Sequence, residues 1–309
     1  MASFRELVND HVLQNIDDLA RTFRSAEPFE HIIIDDFFRA EYLEQLIGEF
    51  PDIERRGRRT KEHLREIAPL GPAYETLDAT IQSDEFLRAI SDITGIEHLL
   101  YDPAYQGGGV HRNFEGYRHM SHIDYNYHNN TRWHRRLNLI VYITPGWKDD
   151  WGGALFLYED GSKPRLSKKI RVPCLYNRAI LFATHLHSWH GVETISFPEG
   201  TKPVTRDSIA LYFFTEERPA EQITDRYQTQ FFPRELPEFL YKPGLLDKNQ
   251  IQQLDQYQDM VSKLVGTMYN REQAWLKEID ELRSKRNSLK KKASRFLNKQ
   301  IPSLWKSGR

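Results

Sequence analysis

Among the twelve histidines, only His122 is followed two residues later by an acid, in His122-Ile123-Asp124. On an extended chain, residues i and i+2 face the same way, so this imidazole and carboxylate can converge on one ion. The pair alone is a weak signal, because a chain with 12 His and 44 acids produces such spacings by chance. A third ligand is offered by Thr184-His185-Leu186-His187-Ser188-Trp189-His190-Gly191-Val192, which holds three candidate imidazoles. Two histidines and one carboxylate on one side of a metal leave three positions open, the facial arrangement suited to non-haem Fe(II) and O2 chemistry. Further on come Arg206, Ser208 and the apolar run Ile209-Ala210-Leu211-Tyr212-Phe213-Phe214. An arginine at the head of a buried strand needs an anion, since an unpaired buried charge is costly. Its planar fork suits a carboxylate.

The elements that must position these residues are readable in outline. Leu7, Val8, Val12, Ile16, Leu19 and Phe23 recur at helical spacing, which predicts a helix over 5–25. A β-branched run at 31–36 predicts a strand, and 40–50 and 74–93 predict further helices. The charged stretch 52–72, with Arg55-Arg56-Gly57-Arg58-Arg59, reads as an exposed loop or mobile lid. From about 105 to 215 the chain carries short β-type runs at 137–143, 154–158, 169–172, 179–182, 192–195 and 208–214, broken by turn residues. Many short strands at this spacing predict a sandwich or barrel. After Phe232 the chain turns helical and polar.

Composition narrows the class. With 39% hydrophobic and 12% aromatic residues in 309, a sizeable core can be buried. A formal net charge of -1 does not point to a nucleic-acid binder. The single cysteine, Cys174, excludes an internal disulfide framework and reads as a packed thiol in a reducing compartment. No secretory leader and no apolar run of spanning length is visible, so a cytoplasmic location, with peripheral membrane contact as an option, is expected.

The order His-x-Asp, His-Gly-Val, Arg-x-Ser resembles the Fe(II)- and 2-oxoglutarate-dependent dioxygenases, in particular their prolyl-hydroxylase-like branch. The run Arg135-Arg136-Leu137-Asn138-Leu139-Ile140-Val141-Tyr142-Ile143 with Trp147 and Gly152-Gly153-Ala154-Leu155 is similar to that branch's core segment. So is Pro28-Phe29-Glu30-His31 with Ile34-Asp35-Asp36-Phe37. The resemblance covers roughly 27–215. It implies an α+β fold: a double-stranded β-helix (jelly-roll) core with N-terminal helices and a C-terminal helical extension, divided as an oxygenase domain over 1–220 and a basic extension over 221–309. It implies Fe(II) ligands at His122, Asp124 and His190, with His190 preferred over His187 and His185. It implies that Arg206 takes the far carboxylate of 2-oxoglutarate, with Tyr142 and Ser208 hydrogen-bonding it. Asn138 shares a strand face with Tyr142 and becomes a further pocket candidate. Gly152-Gly153 reads as a turn device.

The resemblance also implies O2 as co-substrate, with ascorbate as an optional reductant, and release of succinate and CO2 on hydroxylation of a C–H bond. The Asp124 carboxylate leaves no room for a halide, which favours hydroxylation over halogenation. The substrate stays open between a small molecule, a sugar or glycolipid component and a peptidyl proline. The alternative is a non-catalytic, cupin-like metal-binding module, which has no need of the Arg206/Ser208 pair. One departure is the long gap between His190 and Arg206, where 196–203 has the composition of a hairpin excursion. His111, His119, His128, His134, His185 and His187 receive no role.

The tail 284–309 carries nine cations, from Lys285 to Arg309, and no acid. Upstream, Leu254, Val261, Leu264, Val265, Met268, Ile279 and Leu282 are spaced for a helix or a helical pair. Peripheral contact with an anionic membrane, packing on the chain's own domain and a homodimeric coiled coil are all compatible with this pattern.

Overall fold

The computed structural model describes residues 4–162, 164, 167–202, 204–231 and 244–304. The chain divides into two compact units, 1–235 and 236–309.

The N-terminal stretch forms three short helices where one was predicted: α1 (Phe4–Leu7), α2 (Asp10–Gln14) and α3 (Ile16–Ser25). The breaks fall at Asn9, which is extended, and at Asn15. Asparagine competes for backbone hydrogen bonds and favours helix ends. There follow β1 (His31–Ile34), α4 (Ala40–Gly48), β2 (Lys61–Leu64), α5 (Pro72–Ile81) and α6 (Asp84–Thr94). The last of these is bounded as its sequence suggests. Ser83 accepts a hydrogen bond from the Phe86 amide at the N-terminus, and Gly95 takes a left-handed φ of 72° at the C-terminus.

The strands β3 (Leu100–Tyr101), β4 (Gly109–Asn113), β5 (His119–Ile123), β6 (His134–Tyr142), β7 (Leu155–Tyr158), β8 (Lys169–Val172), β9 (Arg178–Ala183), β10 (Trp189–Val192), β11 (Arg206–Thr215) and β12 (Gln230–Phe231) complete the unit. They form two antiparallel sheets. The larger runs β1-β9-β6-β11-β4-β2, with β3 also on β11, and the smaller runs β12-β5-β10-β7-β8. This is the double-stranded β-helix with helical support that the sequence suggested.

Alternation along the strands sorts the layers. Leu137, Leu139 and Val141 of β6, with Ile209, Leu211 and Phe213 of β11, pack against helical residues such as Leu43, Leu77 and Ile90. The opposite face of β6 and β9, including Tyr142, Ile180 and Phe182, meets Leu155 and Leu157 of the smaller sheet. The large sheet therefore has one side under helices and one side toward the other sheet.

Two expectations change. The stretch 52–72 is not wholly loop: β2 pairs with β4 from Lys61↔Asn113 to Leu64↔Val110 and forms the sheet edge. Residues 221–231, expected in the extension, lie on the first unit, where Phe231 pairs with His122 and the Tyr227 amide donates to Asn126 Oδ1 at 2.9 Å. In the second unit, 248–304 is one helix, α7 (Lys248–Leu304), the first of the two alternatives left by its spacing. Trp305, Lys306 and Arg309 lie outside the described residues, as do the side chains of Phe296 and Ile301. Among the described residues, no helix is long and apolar enough to cross a membrane.

Candidate metal and co-substrate site

The site sits between the sheets, where β5 and β10 run antiparallel with His122 opposite His190. The backbones come close at Gly191, where a Cβ would lie 3.0 Å from the His119 carbonyl oxygen. Glycine thus permits the approach that brings the two imidazoles together, ring centroids 4.2 Å apart. Asp124, just past the end of β5, completes the group. Its Oδ1 is 3.7 Å from His122 Nε2 and its Oδ2 is 3.4 Å from His190 Nε2. One ligand atom from each of the three lies within 4.8 Å of the others, close enough to share an ion.

Both rings are held in the same way. His122 Nδ1 donates to the Met120 carbonyl at 2.8 Å, and His190 Nδ1 to the Ser188 carbonyl at 2.9 Å. A nitrogen facing a carbonyl must carry the proton, so each neutral ring turns a bare Nε2 lone pair inward. Burial, with His190 adjacent, pushes His122 down to about 3, so the ring is neutral at ordinary pH. Burial alone would raise Asp124, but Arg135 and His190 overcome it and hold the carboxyl well below the usual range.

Arg135 was not anticipated. The β6–β11 register runs Phe213↔Leu137 and then Phe214↔Arg135, skipping Arg136. That bulge reverses the alternation and turns Arg135 to the side of Asn138. Its guanidinium, 2% exposed, lies between the rings of Tyr212 (3.8 Å) and Tyr125 (4.4 Å). Nη2 donates to Asn138 Oδ1 at 2.7 Å and sits 3.1 Å from Asp124 Oδ2. Asn138 Nδ2 donates to the same Asp124 oxygen at 2.8 Å. The doubled Arg135-Arg136 was visible in sequence; the bulge that aims one of them was not.

At the start of β11, Arg206 is 5% exposed. Nη1 donates to Asn113 Oδ1 at 2.7 Å, and the guanidinium lies 4.7 Å from the Tyr142 ring centroid. Burial opposes its charge, and the neighbours that favour the charge are Cys174, Tyr142 and Tyr117, none of them a carboxylate. Arg206 Nε, Tyr142 Oη and Asn113 Nδ2 are buried with no hydrogen-bond partner. The cation's own Nε and two neighbouring donors thus form a cradle suited to an anion. Gly153 makes room for it: at φ 73°, its Cβ would come 2.9 Å from Arg206 Cδ. Ser208 pairs with Tyr142 across β11 and β6 and lines the same cavity, of about 220 Å³, as the His-Asp-His group.

The other histidines divide. His111 and His119 line the cavity, as does Lys61. His128 sits 3.2 Å from buried Asp102, and His185 Nε2 is 3.3 Å from Glu30. His187 is exposed and His134 half-buried.

The His-x-Asp…His group is the donor set that suits a non-haem iron centre, and a buried arginine lines the same cavity. Residues 108–214, about a third of the chain, match the family described as the 2OG-Fe(II) oxygenase superfamily, whose members use Fe(II), 2-oxoglutarate and O2. No curated protein matches the sequence. Among solved structures, a Trichoplax adhaerens prolyl hydroxylase in complex with a hypoxia-inducible-factor peptide is 17% identical, with a TM-score of 0.46 over 67% of this chain and 92% of that one. A Pseudomonas putida prolyl-4-hydroxylase is 16% identical, TM-score 0.45, over 66% and 98%. For a Phytophthora capsici prolyl 4-hydroxylase the values are 16% and 0.45, and the match spans 67% of this chain and 65% of that chain.

Proposed function

We propose that the protein hydroxylates a C–H bond of a substrate entering the cavity between the two sheets, with iron held by His122, Asp124 and His190 and the far carboxylate of 2-oxoglutarate held by Arg206. The observation that carries this reading is the Arg206 cradle. A buried guanidinium with no acid beside it, its own Nε unpartnered and two further orphaned donors at Tyr142 and Asn113, fits a carboxylate and has no use in a barrel that only binds metal. That speaks against the cupin-like binding module.

Iron and 2-oxoglutarate, when bound, supply the oxidant for hydroxylation, with succinate and CO2 as co-products. The chain's own residues do the positioning. Met120 and Ser188 carbonyls fix the imidazole tautomers, so both Nε2 atoms are ready to ligate without proton loss. Arg135 and Asn138 occupy Asp124 Oδ2, which leaves Oδ1 as the free ligand oxygen. Tyr142 Oη and Asn113 Nδ2 add hydrogen bonds at the far carboxylate, with Ser208 beside them. Tyr125 and Tyr212 wall the Arg135 side and exclude water, which strengthens each polar contact there. Lys61 and His119 in the lining favour a polar substrate with acidic or hydroxyl groups over an apolar one.

The test is His122→Ala. It should abolish Fe(II) retention and substrate-uncoupled conversion of 2-oxoglutarate to succinate together. Wild-type turnover in that variant would remove His122 from the ligand set. A screen of metabolites, glycans and proline-containing peptides against the wild type, read by succinate release above the uncoupled rate, would identify the substrate class.

A further inference from the structure

The helix α7 spans 57 residues, and much of its apolar side is uncovered. Val265 is 42% exposed, Met268 69%, Trp275 61%, Ile279 42%, Leu282 57% and Leu289 65%. These residues fall on alternate steps of three and four: 265, 268, 272, 275, 279, 282, 286, 289. That is a seven-residue period, the mark of a helix wound on another helix. A flat membrane surface asks for no such period. Only Glu272 and Arg286 interrupt the seam, and their placement decides which partner fits.

From this seam we infer that α7 pairs with α7 of a second copy of this chain as an antiparallel coiled coil centred between Gln273 and Ala274. In a parallel pair, each seam residue meets itself, so Glu272 would face Glu272 and Arg286 would face Arg286 in the core. The nine-cation segments 284–309 would also lie side by side. Like charges so placed cost several kcal/mol. In the antiparallel pair, residue i faces residue 547−i. The exposed stretch 265–282 then closes on itself, with Val265 against Leu282, Met268 against Ile279 and Glu272 against Trp275. Flanking the seam, Arg271 meets Glu278 of the second copy, twice by symmetry. Sliding one helix by a heptad destroys this match. One direction sets Arg271 against Arg271; the other sets Glu278 against Glu278 and Arg271 against Lys285. Charge complementarity therefore selects one orientation and one register, and the complementary surface belongs to the chain itself.

The full-length chain should elute from size exclusion with light scattering at twice its 36.6 kDa mass. Ile279→Asp should give the monomer mass while keeping the helical signal and 2-oxoglutarate turnover. Val265→Cys/Leu282→Cys should form a covalent dimer on oxidation. Leu282→Cys alone should not, because the two thiols would sit about 25 Å apart along the helices. Cys174 is buried and does not compete. Arg271→Glu or Glu278→Arg alone should weaken the dimer by about tenfold or more, and the two together should restore it. A monomeric wild type at tens of micromolar, whether or not it sediments with phosphatidylserine vesicles, would overturn the proposal. So would ready cross-linking of Leu282→Cys alone, which reports a parallel pair, or a dimer that survives Ile279→Asp.

Discussion

Arg206→Met separates the co-substrate cradle from ordinary core packing, because the two readings give opposite signs. Arg206 is buried, has a single hydrogen-bond acceptor in Asn113 and no acid beside it. Without its anion it is a net cost to the fold, since a buried charge lacking a counter-charge forfeits hydration that nothing replaces. Methionine has a similar length and no charge. The loss of the donor to Asn113 costs about 1–3 kcal/mol, and removal of the buried charge offsets it or exceeds it. The melting temperature of the protein without 2-oxoglutarate should therefore stay level or rise. Binding should move the other way. Truncating one side of a buried, hydrogen-bonded charge pair costs about 2–5 kcal/mol, or roughly 30- to 4,000-fold in Kd. At 2-oxoglutarate equal to 100 times the wild-type Kd, with Mn(II) in place of iron to prevent turnover, the wild type gains about 2.7 kcal/mol of stability. A variant weakened a hundredfold gains only about 0.4 kcal/mol. Differential scanning fluorimetry reads both quantities in one plate. A sharp fall in the melting temperature of the unliganded variant, with the 2-oxoglutarate shift intact, would make Arg206 a structural residue and send the carboxylate elsewhere. Arg206→Lys keeps the charge but loses the fork, and its KM for 2-oxoglutarate should rise strongly with kcat less affected.

Three further outcomes are expected. Tyr142→Phe removes one orphaned hydroxyl and should raise the 2-oxoglutarate Kd by about ten- to a hundredfold, as a hydrogen bond to a charged group is worth about 1.5–3 kcal/mol; calorimetry reads it. Asn138→Ala removes one of the two partners of Asp124 Oδ2, leaving Arg135, and should weaken Mn(II) binding by about ten- to a hundredfold with the fold intact, as losses of ligand-orienting partners do; unchanged metal affinity would reduce Asn138 to packing. Burial, with Lys61 and His63 nearby, drives His111 well below its ordinary value, so the native state excludes a proton that the unfolded chain takes up below about pH 6.5. Stability therefore falls with acidification, by up to about 1.4 kcal/mol per pH unit for this one group, and His111→Gln should make the unfolding free energy measured between pH 6.5 and 5 correspondingly flatter.

What the sequence made legible follows from how local each feature is. Most strand positions from Leu137 to Phe214 declared themselves because alternation and β-branched runs are local signals, and the jelly roll was readable from them together with the resemblance; the run expected at 192–195 is instead the strand Trp189–Val192, whose His-Gly pair carries no β-branched signal. His122 and Asp124 share a strand-end spacing, so their proximity needed no tertiary knowledge. Asn113, across the sheet on β4, gave no such hint: it reaches Arg206 only through the β4–β11 register, Arg206↔Asn113. Arg135 is the sharper case. Simple alternation puts it with Leu137, toward the helices, and Arg136 with Asn138. The bulge at Arg136 inverts that order, and its cause lies in the pairing of β6 with β11, not in the residues of β6 alone. Burying an arginine between two tyrosines against the Asp124 carboxylate is expensive unless every donor is answered. Here the answer is Asp124 and Asn138, so the bulge, the tyrosines and the carboxylate form one unit. The same logic separates the two arginines of the cavity. Arg135 has its anion within the chain and serves to hold Asp124. Arg206 has none among the described residues, and that difference in pairing, invisible in residue type, is the ground on which the proposed function sets the first on the metal side of the cavity and offers the second to an incoming carboxylate.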